Sequence, residues 1–271
     1  MREITVAVVQ VAPVLAEVEE NLLKMSDYLE RVCLEEQGVD LVVFPELVTT
    51  GYECGVRFTD LAERVPGHTV NLLARRASEF GVHVAFGMVV KEKVESILYN
   101  AQVLLGPDGE VIAEYRKLHL KGEERLAFRP GYRLVTAETA FGVVGLAIGW
   151  DLAFPEVARG LVLEGAELLV VSAAYEEPQQ EEWKTFLRAR AMENAVFVAG
   201  ANRVGEEPSY TFFGESAVVG PRGEIRTVVD EPVEGYAVVR VDLDEVRRRR
   251  EETQVLQCRQ PQAYRAVVKK Y

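Results

Sequence analysis

The chain carries two closely similar turn sequences, and this repeat is the feature that most constrains its fold. The segment LLGPDGE at residues 104–110 resembles VVGPRGE at residues 218–224. A Gly-Pro-x-Gly turn between two apolar runs is typical of a β-hairpin. In both halves of the chain, apolar strands and amphipathic helices alternate before this hairpin. The sequence therefore predicts an α/β protein built from two similar halves.

The periodicity of apolar residues predicts matching elements in each half. The first half is expected to contain strands at residues 4–10, 40–44, 82–90, 98–105 and 110–116, and a helix at 72–80. An earlier helix is predicted to bury Leu22, Met25, Leu29, Val32 and Cys33. The second half is expected to contain strands at 143–148, 168–171 and 196–201, helices at 156–164 and 181–194, and the second hairpin. Phe-Pro-Glu also follows an apolar strand in each half, at residues 44–46 and 154–156. We expect a pseudo-symmetric pair of sheets with helices outside.

Composition narrows the possible partners and compartment. The 271 residues are 48% hydrophobic, and no Pro/Ser-rich linker divides them, so residues 1–271 are predicted to form one domain. A net charge of −12 disfavours a nucleic-acid partner. The arginine run at 247–250 precedes two glutamates and is predicted to be a solvated helix face. No apolar run is long enough to cross a membrane.

Three cysteines without metal or disulfide spacing are typical of a reducing, cytoplasmic compartment. His68, His83 and His119 are too dispersed to predict a metal site. The sequence has no Gly-x-Ser-x-Gly elbow and no glycine-rich phosphate or dinucleotide loop.

The segment 247–271 is expected to be polar and irregular, and to pack on a partner subunit.

Charged residues near the ends of predicted elements are the candidates for chemistry. Glu46 follows one apolar strand, Lys117 ends the first hairpin, and Glu124 comes shortly afterwards. Each residue alone is typical of a cap or a solvated charge. Side chains fixed at strand ends beneath flexible loops are also a common way to build a pocket.

The segment LAIGWDLAFPE at residues 146–156 resembles the active-site segment of the nitrilase, or carbon–nitrogen hydrolase, superfamily. The family pattern there is approximately I-C-[YWF]-D-x-x-F-P-E. The order and context of Glu46, Lys117 and Glu124 also match the family, and the short link from Lys117 to Glu124 resembles its compact, aliphatic-amidase-like branch. Flanking similarities extend over nearly the whole chain, at residues 51–52, 130–131, 188–194, 201–205 and 213–216.

The resemblance implies a four-layer α-β-β-α sandwich that assembles as a homodimer or a higher homo-oligomer. It implies hydrolysis of a non-peptide C–N bond in a small amide, with no metal or cofactor. Glu46 would be the general base, Lys117 would stabilise the oxyanion with the backbone N–H of Trp150, and Glu124 would orient the substrate. The pocket would be shaped by Tyr52, Trp150, Ala173, Ala174 and Tyr175.

Gly149 stands where the family has its nucleophilic cysteine, and glycine cannot form a thioester. Cys54, beyond Glu46, would attack from another direction, and Cys258 lies in the tail. The chain is therefore expected to be inactive or to trap its ligand. Four explanations remain open: a deliberately inactivated amidase, a natural pseudoenzyme that binds an amide or carboxylate, a hydrolase in which Glu46 activates water directly, or an error in the sequence. Without the flanking match, Gly149 would simply indicate a tight turn.

Overall fold

The computed structural model describes residues 2–92 and 97–269. Its strands are β1 (Glu3–Gln10), β2 (Leu41–Val43), β3 (His83–Lys91), β4 (Leu98–Leu105), β5 (Val111–Arg116), β6 (Thr136–Thr139), β7 (Gly142–Ile148), β8 (Leu168–Ala173), β9 (Phe197–Asn202), β10 (Val204–Glu206), β11 (Thr211–Phe213), β12 (Ala217–Val219), β13 (Ile225–Val228) and β14 (Gly235–Asp242). The α-helices are α1 (Val18–Glu35), α2 (Phe58–Leu61), α3 (His68–Phe80), α4 (Glu124–Ala127), α5 (Pro155–Leu163), α6 (Gln180–Asn194) and α7 (Asp244–Thr253). Three 3₁₀ turns lie at Gly55–Arg57, Gly149–Ala153 and Pro261–Val268.

Two six-stranded sheets have the same internal order. The first runs β14-β1-β2-β3-β4-β5, and the second runs β6-β7-β8-β9-β12-β13 when read from its opposite edge. In each sheet the second, third and fourth strands are parallel and every other pairing is antiparallel. The predicted pseudo-symmetry is therefore present at the level of topology, and β10 with β11 forms a separate two-stranded ribbon.

Apolar side chains on successive strand residues build the four layers. On β1, Val6 and Val8 join the core between the sheets, whereas Ala7 and Val9 join the core beneath α1 and α3. The outer face of the second sheet is covered by α5 and α6, with Trp183 fully buried there. Because successive strand residues point to opposite faces, both faces of each sheet are packed. The expected α-β-β-α sandwich is confirmed.

The two similar hairpins adopt the same conformation. A β-bulge interrupts the register at Leu104/Leu105 in the first and at Val218/Val219 in the second. Gly109 and Gly223 adopt φ values of +82° and +79°, which favour glycine, and close equivalent turns. The repeated sequence therefore marks an equivalence in space.

The Phe-Pro-Glu repeat, by contrast, is not an equivalence. Residues 44–46 follow β2, but residues 154–156 follow β7 and its turn, and β7 corresponds to β1 in the first sheet. Pro155 instead begins α5, because proline lacks only an N–H that the first turn of a helix does not use.

The prediction of an irregular segment at 247–271 is wrong for its first part, because residues up to Thr253 lie on α7. The arginine run 247–250 lies on α7, as its charge pattern suggested. Arg250 Nη2 donates to the carbonyl of Ala166 at 2.7 Å, and Leu256 packs against the helices of the second sheet. This segment therefore packs partly on its own chain; residues 270–271 lie outside the described residues.

A polar chain crosses the apolar core between the two sheets. Gln102 Nε2 of β4 donates to Ser172 Oγ of β8 at 2.9 Å, and Ser172 Oγ donates to the carbonyl of Phe44 at 2.7 Å. The N–H of Glu46 then donates to the carbonyl of Ala173 at 3.2 Å. Because apolar contact alone is non-directional, these bonds specify one alignment of the sheets beside Glu46.

Candidate active site

The structure brings Glu46, Lys117 and Glu124 together in one buried cluster. Glu46 follows β2, Lys117 follows β5, and Glu124 begins α4. Lys117 Nζ donates to Glu46 Oε1 and to Glu124 Oε1, both at 2.6 Å. The three residues are at most 5% exposed, so one ammonium is shared by two carboxylates with little access to water.

Asn100 is a member of this cluster that the sequence reasoning missed. It lies on β4, is fully buried, and donates through Nδ2 to Glu46 Oε1 at 2.7 Å and to Glu124 Oε1 at 3.0 Å. The backbone carbonyl of Asn100 accepts the backbone N–H of Lys117 at 2.9 Å. A buried amide on a mostly apolar strand was the available indication, because buried amides need partners.

Burial and neighbouring charges shift the pKa values of the three residues in different directions. Burial raises the pKa of Glu46 to about 7, with Lys117 opposing the rise and Glu124 adding to it. Burial also opposes ionisation of Glu124, but Lys117 and the N–H of Lys121 lower the pKa of this carboxyl. Burial disfavours the charge on Lys117, yet the two carboxylates outweigh it and hold the lysine pKa well above its usual value. The cluster therefore combines a permanent cation with a carboxyl group that exchanges its proton near neutrality.

Gly149 lies against Glu46 at the turn that follows β7. Its φ is +42°, and a Cβ built there would overlap Glu46 Oε2 and come within 3.3 Å of Glu46 Cδ. A side chain at position 149 would consequently share space with the carboxylate, and Glu46 would have to move to admit it. Position 149 is thus within immediate reach of the buried carboxylate.

A narrow cleft leads to the cluster and contains most of the predicted pocket residues. Its free volume is about 10 Å³, and its lining includes Glu46 and Lys117. The other lining residues are Tyr52, Lys121, Trp150, Ala174, Tyr175, Glu176 and Gln179. Ala173 is absent from the lining; it is fully buried and contributes its backbone carbonyl to Glu46. Lys121, Glu176 and Gln179 were not singled out from the sequence, and Lys121 Nζ donates to Glu176 Oε1 at 2.7 Å.

Cys54 does not line this cleft. It is 5% exposed, packs among apolar side chains that include Phe58, and donates its thiol to the carbonyl of Thr50 at 3.1 Å. Burial raises the pKa of this thiol to about 11, which keeps it protonated and unreactive. Cys54 is therefore a structural residue.

A buried ion pair fixes the loop that carries Tyr52. Arg203, fully buried, pairs with Glu207, and its guanidinium lies 4.0 Å from the ring centroid of Phe212. Glu207 accepts the backbone N–H of Tyr52 at 2.9 Å and that of Glu53 at 2.7 Å. Because the same carboxylate pairs with Arg203 and accepts both N–H groups, it ties this loop to the buried guanidinium at one wall of the cleft.

The second wall is organised around Asp151, which the sequence reasoning gave no role. This fully buried carboxylate accepts hydrogen bonds from the hydroxyl of Tyr115 at 2.7 Å and the ring Nδ1 of His119 at 2.8 Å. It also accepts the backbone N–H groups of His119 and Ile148. His119, two residues after Lys117, is therefore tied to the turn after β7 through both its ring and its backbone.

The cluster has the components for acid–base chemistry on a carbonyl compound. Glu46 can move a proton near neutral pH, and Lys117 supplies a fixed positive charge. Among residues 2–92 and 97–269, no group of three or more His, Cys, Asp or Glu side chains is arranged to hold a metal ion. Within the same ranges, no helix is long and apolar enough to cross a membrane.

Comparison with known proteins gives this arrangement a family. The sequence profile of carbon–nitrogen hydrolases matches residues 5–251. A probable nitrilase of Schizosaccharomyces pombe is 40% identical over 244 residues, which cover 89% of this chain and 90% of that protein. The crystal structure of a carbon–nitrogen hydrolase from Helicobacter pylori G27 superposes with a TM-score of 0.93 at 27% identity, over 99% of both chains.

A variant of the amidase from Nesterenkonia sp. AN1, with the acetamide moiety of fluoroacetamide added covalently at its active-site cysteine, superposes with a TM-score of 0.85 at 26% identity. The match covers 97% of this chain and 96% of that chain. The sandwich and the sequence match thus define a protein of the nitrilase type. The chain belongs to the carbon–nitrogen hydrolase family.

Proposed function

We propose that the cleft is an amidase-type site for a small amide, that position 149 is the nucleophile position, and that glycine there disables the covalent route. The observation that carries this proposal is the contact between position 149 and Glu46. A Cβ at that position would overlap Glu46 Oε2, so any nucleophile there lies beside its base. The covalent adduct on the active-site cysteine of the Nesterenkonia amidase supports the same chemistry.

The geometry supports a defined role for each member of the cluster. With cysteine at position 149, Glu46 would take the thiol proton, and the thiolate would attack the amide carbon. Lys117 and the backbone N–H of Trp150 would stabilise the oxyanion, and Glu124 would orient the substrate. Ammonia leaves with the proton held by Glu46, and water, deprotonated by Glu46, then hydrolyses the thioester to a carboxylic acid and frees the thiol.

A direct attack by water is the second candidate, because Glu46 faces position 149 and burial raises the pKa of this carboxyl to about 7, as a base that works near neutral pH requires. Glu46 would accept a proton from that water, which attacks the amide without a covalent intermediate. This route lacks the sulfur nucleophile, so we expect it to be slower by several orders of magnitude.

Restoring cysteine tests the proposal. Gly149→Cys should release ammonia from acetamide or acrylamide and acquire a fluoroacetamide-derived adduct, which peptide mapping locates at position 149. Gly149→Ala is the matched control, because it adds the same Cβ and backbone strain without a thiol. It should fold as Gly149→Cys does and remain inactive.

Several outcomes would decide between the candidates. A folded Gly149→Cys protein that gives neither ammonia from a broad amide panel nor an adduct would refute the nucleophile position. Ammonia release by the unmodified chain that is abolished by Glu46→Gln would establish the water route. Calorimetric binding of a small amide or carboxylate, without turnover by either protein, would favour the alternative of a non-catalytic pseudoenzyme.

The assembly state and compartment stay predictions. We propose a homodimer or a higher homo-oligomer in the cytoplasm, acting on a small amide. Apolar side chains on the outer helices support association: Leu163 of α5 is 49% exposed and Met192 of α6 is 48% exposed. Sedimentation equilibrium at micromolar concentration would test it, and a monomer at that concentration would contradict the oligomer.

A further inference from the structure

We propose that Asp151 is a positioning residue that sets the distance between the two groups expected to hold the oxyanion, the ammonium of Lys117 and the backbone N–H of Trp150. The inference rests on the proposed function for its catalytic consequence. Its structural basis is the position of Asp151, which touches the segments of both groups and is not part of the cleft lining.

Asp151 binds two segments that come from different sheets. From the first sheet, the hydroxyl of Tyr115 on β5 donates at 2.7 Å, and two groups of His119 donate at 2.8 and 3.1 Å. These residues lie two positions on either side of Lys117. From the second sheet, the N–H of Ile148 at the end of β7 donates at 3.2 Å. One carboxylate therefore joins the strand ends from which Lys117 and Trp150 extend.

All the groups around Asp151 are donors, and this determines its chemistry. The carboxylate is fully buried and accepts four hydrogen bonds, so each oxygen has two donors. Because Asp151 is the acceptor, the Nδ1 of His119 carries the proton in this contact. An amide cannot replace the carboxylate, since its NH₂ group would face donors on at least one side.

Aromatic rings extend the connection to the edge of the cleft. The ring of His119 stacks on Phe154 with centroids 3.6 Å apart and an interplanar angle of 11°. Phe154 in turn meets Trp150 edge-to-face at 5.2 Å. Rotation of His119 would therefore displace Trp150 through Phe154. Loss of Asp151 thus acts on the Trp150 segment both through the lost hydrogen bond to Ile148 and through these rings.

Three other buried carboxylates near the cleft, Glu46, Glu124 and Glu207, make different contacts. Glu124 and Glu46 bind the ammonium of Lys117 and the amide of Asn100, both from the first sheet. Glu207 holds the loop of Tyr52 on the other wall. Among residues 2–92 and 97–269, Asp151 is the carboxylate that bridges β5 and β7 through the contacts above.

The activity test uses the Gly149→Cys protein as the parent. Adding Asp151→Asn should lower kcat by about 100-fold with KM changed by less than about threefold, because a misplacement of about an ångström affects the transition state most. Tyr115→Phe, which removes one donor and keeps the carboxylate, should fold reliably and lower kcat by about 3- to 10-fold. A matched control is Glu63→Gln, because Glu63 is not a lining residue of the cleft and its carboxylate accepts the N–H and the hydroxyl of Thr69 at the start of α3.

The control should lose thermal stability without a change in kcat. The proposal is overturned if kcat of the folded Asp151→Asn and Tyr115→Phe proteins stays within twofold of the parent, or if Glu63→Gln lowers kcat as much as they do. It is also overturned if KM rises in step with the fall in kcat, since that pattern indicates a damaged binding wall.

A readout without turnover separates this proposal from the proposed function. Crystal structures of the unmodified chain and of its Tyr115→Phe and Asp151→Asn variants would give the separation of Lys117 Nζ and Trp150 N. We expect an increase in the variants while Lys117 keeps its contacts with Glu46. If Gly149→Cys is inactive, the proposed function fails, and this distance alone decides the role of Asp151; an unchanged separation refutes it.

Discussion

The two halves of the molecule share a topology but differ in what occupies corresponding positions at their strand ends. Alignment of the two hairpins places Asn100 opposite Gly214 and Lys117 opposite Glu231. In the first half these positions form the buried charged cluster. In the second half Glu231 is exposed, and the side chain of Gln10 fills the space over Gly214.

The contrast shows that the same sheet topology can bury either a neutral amide or a charged cluster at corresponding positions. Gln10 Nε2 donates to the carbonyls of Glu231 and Val233, each at 2.8 Å, and its Oε1 accepts the N–H of Ser216 at 3.1 Å. Backbone groups satisfy this neutral side chain completely. The charged cluster instead depends on ion pairs between titratable side chains as well as on Asn100, so of these two corresponding sites only the one in the first half should respond strongly to pH and to the loss of one partner.

Removing Lys117 should produce the largest difference between the halves. Lys117→Met leaves two buried carboxylates without their cation, and we expect a loss of about 3–5 kcal/mol in the free energy of unfolding above neutral pH. Part of this loss should be recovered in acid, where the carboxylates take up protons. Denaturation by urea measures both effects. The control is Glu231→Ala at the corresponding exposed position, which should change stability by less than about 0.5 kcal/mol; equal losses would remove the contrast.

The pH dependence of stability should depend on Glu46. The unfolded chain loses this proton near pH 4.5, whereas the folded protein keeps it until about pH 7. The folded state binds more protons in that interval, so Glu46 makes the free energy of unfolding fall as pH rises from 4.5 to 7, by about 3 kcal/mol. Glu46→Gln should flatten this part of the profile, as measured by urea denaturation at a series of pH values. A slope identical to that of the unmodified chain would contradict the assignment.

Asn100 and Gln10 offer a matched pair of buried amides. Asn100→Leu and Gln10→Met each preserve approximate shape and should each cost about 2 kcal/mol, because both leave buried groups without partners. The cost of Asn100→Leu should increase with pH as Glu46 ionises, while that of Gln10→Met should stay constant. Thermal denaturation between pH 5 and 8 distinguishes them. Parallel pH dependences would show that the charged cluster is not the source of the difference.

The smallest effect should come from the two hairpin turns, where the halves are most alike. Gly109→Ala and Gly223→Ala both place a Cβ on a residue with positive φ, at a cost of about 1–2 kcal/mol. The new Cβ at Gly109 would lie 2.8 Å from the backbone oxygen of Ala74, whereas at Gly223 it would lie 2.8 Å from the flexible Cε of Met192. We therefore expect Gly109→Ala to be the costlier by a few tenths of a kcal/mol; the reverse order in calorimetry would contradict this reading of the contacts.

The sequence predicted the central elements well because their apolar patterns are strong. The strand predicted at 98–105 has those bounds, and the helix predicted at 181–194 starts one residue earlier, at Gln180. The helix predicted at 72–80 begins at His68, because its first turn contains few apolar residues. Strands β6, β10, β11 and β14 were not predicted, since they are short or only partly buried and their pairing depends on distant segments.

The candidate site was predictable only in part. The resemblance identified Glu46, Lys117 and Glu124, which the structure brings together, whereas Asn100 and Asp151 were missed. A polar residue on an apolar strand reveals that it needs partners but not which ones, because the partners come from other elements. The position of Gly149 against Glu46 likewise depends on how the two sheets are stacked. The local sequence around either residue does not determine that stacking.

The hydrogen-bonded chain from Gln102 through Ser172 to Phe44 has a consequence for how the protein should melt. It lies within the fully packed interface between the sheets and ends two residues before Glu46. The distance between Glu46 and the Gly149 turn is therefore determined by the core between the two sheets. Replacing the surface loops would leave this distance unchanged. Heating should not dismantle the cleft in an early, local step; the capacity to bind a ligand and the cooperative fold should vanish in a single transition.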